Sequence, residues 1–235
     1  MLAWHFLRED RKLNYPPHTL VEAGETYTSE GKLELCANGM HASVRAIDAL
    51  QYAPGAIICR VELSGEVLTA PDKLCARHRK VLWMADATNI LHEFACWCAE
   101  QALTREREAG REPDARSWAA VEAKRRWLKG EITGDELSAA RDAACSAARD
   151  VAWYAACSAA RDVAWYAAWD AQNEQLEKMF GRAATMKLND SQIRSALIPR
   201  RRWNWRKAWD NLLTVAGVGS FAVICYMAFC ELTGR

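Results

Sequence analysis

The sequence predicts an α+β protein: a small β-rich N-terminal domain, a mainly α-helical, Ala-rich region, and a C-terminal transmembrane helix. Three observations predict it. Short alternating segments broken by Pro, Gly and Asn-Gly fill residues 1–80. Helical periodicity then takes over from about Val81, with a twelve-residue unit, ACSAARDVAWYA, at Ala144–Ala155 and again at Ala156–Ala167. Finally, Leu212–Cys230 runs for nineteen residues without a charge. With only 12 Gly and 6 Pro in 235 residues, long helices are favoured over a loop-rich all-β chain. The resulting domain bounds are 1–80, 81–199 and 200–235.

In the first domain, Ala3–Leu7 is a strand candidate, and Pro16-Pro17 and Gly24 punctuate the stretch after it. Leu33–Cys36 alternates, and Asn38-Gly39 marks a tight turn before Met40–Ser43. Val44–Tyr52 fits one short helix with Val44, Ile47 and Leu50 on a face, closed by Pro54-Gly55. Ile57–Leu63, Ser64-Gly65 and Glu66–Leu68 read as a hairpin or a bulged strand.

The helical region opens with Leu82–Arg107, which carries Ile90, Leu91, Phe94, Trp97 and Cys98 at helical spacing. A polar linker, 108–113, leads to a helix over Asp114–Lys129, with Gly130 in the C′ position where a left-handed backbone suits glycine. Thr133 and Glu136 form a capping box, and the pattern then stays helical to Gly181. Such a helix would be roughly 70 Å long if straight. Each inserted copy of the repeat rotates the helix beyond it by about 120° and advances it by about 18 Å, which a jigsaw core tolerates poorly. The expectation is therefore a protruding arm, or one that packs on a protein partner or on itself through an Ala surface.

The uncharged run would reach roughly 28 Å as a helix, close to a hydrocarbon core of about 30 Å. Before it stand Arg200, Arg201, Arg202, Arg206 and Lys207 with Trp203, Trp205 and Trp209, a membrane-interface belt of basic and indole side chains. After it the charged side chains are Glu231 and Arg235. The bias predicts a single pass through an inner membrane with the N-terminal domain cytoplasmic and the lipid bilayer as a partner. The start, MLAWHFLREDRK, lacks the pattern of a signal peptide.

A net charge of +1, from 31 Lys+Arg and 30 Asp+Glu, excludes a nucleic-acid coat and an acidic tail. Nucleic acid is not an expected partner: Arg149 and Arg161, beside the aromatics Trp153, Tyr154, Trp165, Tyr166 and Trp169, are each followed by Asp. Those aromatics read as residues of helix packing or oligomerisation. Nine cysteines at irregular spacing, with no CxxC, point to a reducing compartment and to thiols acting as small buried hydrophobes. No phosphate-binding, dinucleotide, zinc-protease or serine-hydrolase motif occurs, no cofactor is expected, and the balance points away from an enzyme. Among five histidines, His41 stands out, after the Asn-Gly turn and two residues before Ser43; the pair are the candidate ligand-binding residues. The plainer reading of His41 is a hydrogen-bonded structural histidine at a strand edge. A zinc site from Cys36, His41, Cys59 and Cys75 has spacings that match no standard ligand pattern.

Two stretches carry resemblances. Gly24-Glu25-Thr26-Tyr27, Leu35–Ser43, Ala49-Leu50, Tyr52–Gly55, Arg60–Gly65 and Asp72-Lys73-Leu74 resemble a domain of unknown function found in phage proteins and ahead of pentapeptide-repeat proteins. Its Gly-x-His-x-Ser order is loosely similar to ADP-ribosyltransferase-like folds, which implies the alternative of a nucleotide-binding or ADP-ribosyl-transferring head with His41 and Ser43 in its pocket. Residues of about 85–180, on Cys98-Ala99-Glu100, Pro113–Arg116, Trp127–Thr133 and the Ala-rich run after Leu137, resemble helical immunity proteins associated with polymorphic toxins. That resemblance implies an all-α binding module. Together these readings point to a membrane-anchored, non-enzymatic phage or prophage accessory protein of immunity or exclusion type, with a structural self-associating arm as a further alternative.

Overall fold

In the computed structural model, which describes residues 1–14, 17–155 and 162–185, the chain forms two compact units. One comprises residues 1–88 with 168–185; the other comprises residues 89–167 as far as they are described. Along the chain, the described part of the second unit thus lies between the two segments of the first. The mixed α+β class, an N-terminal antiparallel sheet followed by helices, is the observed one.

The first unit holds strands β1 (Leu2–Leu7), β2 (Thr26–Thr28), β3 (Met40–Ala42), β4 (Ile57–Thr69) and β5 (Leu74–Asp86), with the short helix α1 (Ala46–Gln51). The sheet is antiparallel in the order β1-β4-β5-β2, and β3 pairs with the start of β5. Residue 43, just past β3, returns to β1: Trp4 N–H donates to the Ser43 carbonyl at 2.7 Å and Ser43 N–H to the Trp4 carbonyl at 2.9 Å. This exchange closes β1, β4, β5 and β3 into a ring. Strand parity then fixes two faces. Ala3, Leu7, Ala42, Cys59, Val61, Leu63, Leu74, Ala76 and Val81 form one core within the ring.

The opposite face of β1 presents Trp4 and Phe6, and here the last described helix, α5 (Asp162–Thr185), enters the unit. Phe180, fully buried, meets Trp4 and Phe6 at ring-centroid distances of 5.6 and 6.1 Å. Helix α1 has no side-chain cap of its own at Arg45. Its orphan amides are satisfied by α5 instead: Ala46 N–H donates to Glu177 Oε1 at 3.2 Å and Ile47 N–H to Asn173 Oδ1 at 3.1 Å. Trp4 Nε1–H also donates to Glu177 Oε1, and Trp169 Nε1–H donates to Asp48 at 3.1 Å. Trp169 is thus tied to α1 within the same unit.

The second unit contains α2 (Thr88–Glu108), α3 (Ala115–Leu128) and α4 (Gly134–Ala155). Its core is made of small side chains, Cys96, Ala99, Ala120, Val121 and Ala144, which let helix backbones approach closely. Arg125 on α3 ties to α2 through Glu93 at 2.8 Å and through Glu100. Asp114 caps α3 by accepting from Arg116 N–H at 2.8 Å, and Gly130, at φ +73°, follows its end. The capping box also forms, with Glu136 N–H donating to Thr133 Oγ1 at 3.2 Å and Thr133 N–H to Glu136 Oε2 at 2.7 Å.

Several expectations need correction. The helical pattern does not begin at Val81: β5 continues to Asp86 and α2 starts at Thr88. Val81–Ala85 is a continuous apolar run in which Leu82, at a register shift, is 39% exposed, and periodicity alone does not separate such a run from a helix. Of the two readings of 57–68, the bulged strand holds: β4 runs unbroken past Gly65 with register shifts at Arg60/Val61 and Ser64/Val67, and the hairpin turn falls at residues 70–73. Leu33–Cys36 is no strand but a turn bridged by Glu34 and Asn38. Val44 is 54% exposed and lies outside α1 rather than on its buried face. Gly181 does not end a helix, since α5 runs to Thr185. The end of the expected arm is no arm either: Leu176 and Phe180 of α5 are wholly buried. Residues 156–161, and the span 212–230 with its belt, lie outside the described residues; no described helix is long and apolar enough to cross a membrane.

Candidate functional site

The ring formed by β1, β4, β5 and β3 places its polar residues where the sequence pattern does not advertise them. His41 sits in β3 opposite Cys75 of β5. Its Nδ1 lies 3.0 Å from the Gly39 carbonyl, and its Nε2 accepts the Cys36 amide proton at 3.1 Å. An acceptor at Nε2 fixes the neutral tautomer with the proton on Nδ1. Burial lowers its pKa, the Gly39 carbonyl opposes that, and the charges of Arg79 and Lys73 add to the lowering. The imidazole thereby staples the loop 36–39 to the sheet, as a structural histidine does. Gly39 is required there: at φ +138° its absent Cβ would stand 2.1 Å from Cys75 Sγ. Ser43 is buried at 2% exposure, with its backbone engaged by Trp4.

Inside the ring lies a second set of groups. His5 shares the inward face of β1 with Ala3 and Leu7 and pairs with Cys59 of β4. Arg79 of β5 stands opposite Leu63 of β4 and Tyr27 of β2, and is only 3% exposed. Its Nη1 donates to the His41 carbonyl at 2.8 Å, while its Nε is buried without a partner. Burial brings the Arg79 pKa down to about 10. Burial, then Arg79, then the His41 ring push the His5 imidazole well below its ordinary range and keep it neutral. The Cys59 thiol is pushed up to about 12 by the same burial, against the pull of Arg79. The interior is thus basic and lacks a carboxylate among the groups that act on Arg79.

The sheet, α1 and the opening of α2 delimit a recognisable module. Residues 1–93 match the family model of a domain of unknown function, DUF7666. The match carries the resemblance of the N-terminal stretch to a domain of unknown function and takes it to residue 93, past the end of β5. No curated protein and no solved structure matches the chain.

Within the DUF7666 region, the sequence-derived quartet Cys36, His41, Cys59 and Cys75 is not assembled. Cys36 is exposed, Cys59 faces the interior, and Cys75 Sγ–H donates to the Asn38 carbonyl at 3.2 Å. Among the described residues no group of three or more His, Cys, Asp or Glu side chains is placed to hold a metal ion. Cys36, Cys59, Cys75, Cys96 and Cys98 form no disulfide. The interface residues Arg200, Arg201, Arg202, Trp203, Trp205, Arg206, Lys207 and Trp209 lie outside the described residues. Sequence reasoning passed over His5 and Arg79. The signal that finds Arg79 is strand parity across the sheet, which needs β5 as a strand and its register with Leu63; His5 alternates with Ala3 and Leu7 and was legible once Ala3–Leu7 was read as a strand.

Proposed function

We propose that the chain is a non-enzymatic interaction protein of phage or prophage type, held at the cytoplasmic face of an inner membrane by one span over residues 212–230. Its task there is to neutralise a toxin or exclude a competitor. The observation that carries the reading is the nineteen-residue uncharged run behind a belt of five cations and three tryptophans. The packing of α5 refines it. Leu176 and Phe180 are buried in the first unit, and about two dozen residues of sequence separate Leu176 from the belt, which favours a tether that follows the DUF7666-containing unit over one at the tip of an arm. The helices of the second unit, with their small-residue core and the immunity-like segments, are then the surface offered to a protein partner.

The test is membrane fractionation of the full chain beside a full-length variant carrying Val218→Arg and Ile224→Arg. Each arginine costs about 2.5–3.5 kcal/mol of insertion at a helix centre. The full chain should pellet with membranes and resist carbonate and salt, and the variant should move to the soluble fraction. A full chain that is soluble, or extracted by carbonate, overturns the tether.

A further inference from the structure

We propose that the interior of the β1-β4-β5-β3 ring binds a phosphate-type oxyanion between Arg79 and His5. This inference concerns the first unit alone and stands whether or not residues 212–230 enter a membrane. A guanidinium that is 3% exposed has given up its water, and folding recovers that loss only if its donors find partners. Arg79 has one partner, the His41 carbonyl, on Nη1; its Nε–H points into the protein with none. No described carboxylate forms an ion pair with it: the acidic groups that act on it are the Cys59 thiol and the Tyr27 phenol. A second basic group, His5, lies close enough to feel the Arg79 charge, and no described residue hydrogen-bonds its ring. The structure therefore puts an unpartnered guanidinium N–H, with an uncompensated positive charge, and a second basic side chain on the inward face of the ring.

An oxyanion supplies what is missing. A planar guanidinium whose Nη1 is anchored on a carbonyl is fixed in orientation and presents Nε–H to one oxygen, while an imidazole N–H reaches another. A phosphate monoester, with a charge of about −1.5 to −2 near neutral pH, compensates Arg79 and also favours a proton on His5. A carboxylate offsets the guanidinium alone. The anchoring also gives His41 a role: by stapling the 36–39 loop it positions the strand whose carbonyl orients Arg79. His41 is a positioning residue here, and Arg79 and His5 are the contacts.

The experiment uses the full chain in neutral detergent and follows thermal unfolding against sodium chloride, inorganic phosphate and AMP at matched ionic strength. Phosphate or AMP at about a hundredfold excess over Kd should raise the midpoint by about 5 °C or more. The His5 ring resonances of the 15N-histidine-labelled chain, assigned with His5→Gln, should shift on addition of phosphate, a readout independent of any arginine variant. Arg79→Met, which keeps the straight chain and removes the charge, should fold and lose the phosphate response. Equal responses to phosphate and AMP mean a bare anion is bound; a stronger response to AMP means the phosphate group enters with its nucleoside attached. Both uphold the site. No stabilisation beyond that of chloride together with an unmoved His5 ring, or an undiminished response in Arg79→Met, overturns it.

Discussion

Removing the Glu177 carboxylate should loosen α1, more than one hundred residues away in sequence. Glu177 Oε1 accepts from Trp4 Nε1, Ala46 N and Asn173 Nδ2, each at 3.2 Å. In Glu177→Ala the Trp4 and Ala46 donors lose their acceptor where they are 6% and 0% exposed. Each orphaned donor costs about 1–3 kcal/mol, and because Glu177 is itself partly exposed, water recovers some of it. We expect a net loss of about 2–3 kcal/mol, or roughly 5–10 °C for a chain of this size. Glu177→Gln keeps a neutral acceptor and should cost about 0.5–1 kcal/mol. Urea unfolding followed by circular dichroism gives the magnitude, and hydrogen exchange gives the site. Glu177→Ala should strip protection from the Ala46 amide and spare Ile47, whose acceptor is Asn173; Asn173→Ala should do the reverse. Wild-type exchange at both amides, with stability within about 0.5 kcal/mol, would refute the idea that α5 caps α1.

Two further outcomes concern other parts of the molecule. Gly39→Ala combines a strained backbone with a methyl 2.1 Å from Cys75 Sγ, and should cost about 2–4 kcal/mol in equilibrium unfolding; Cys75→Ala should restore part of that, since the clash disappears and the positive φ remains. In the second unit Lys124 is 2% exposed, its ammonium lies 4.1 Å from the centre of the Trp127 ring, and burial lowers its pKa from 10.5 to about 8. A lowered lysine pKa means the unfolded chain holds more protons above that value, so stability should rise by about 1 kcal/mol from pH 7 to 9. The Cys96 thiol, pushed up to about 12 by burial, opposes the rise only above its ordinary value of 9.0. Lys124→Met should abolish the rise and leave the unit more stable at pH 7; a pH profile unchanged by the substitution would count against a buried ammonium.

Local chemistry was legible in the sequence because its signals act within a few residues. The strand at the start, the Asp114 cap, the Gly130 stop and the Thr133–Glu136 capping box each depend on φ, ψ or a side chain reaching its neighbouring backbone, while the bulge near Gly65 was one of two readings and the turn before β3 falls at residues 35–37 rather than at Asn38-Gly39. His41 was visible for the same reason: its ring bonds lie within five residues of it, at Gly39 and Cys36. Tertiary structure alone decided three matters. β5 is a strand rather than the start of a helix because β4 pairs along it, and a continuous apolar run has no period to read. The distal helix belongs to the N-terminal unit because the orphan amides of α1 and the rings of Trp4 and Phe6, buried against Phe180, need partners that no neighbouring residue supplies. And Arg79, one cation in a run of four polar side chains at 77–80, becomes an uncompensated buried charge only when strand register turns it inward opposite Leu63. Caps and turns are satisfied by the residues beside them, whereas burial and pairing depend on segments the sequence places far apart.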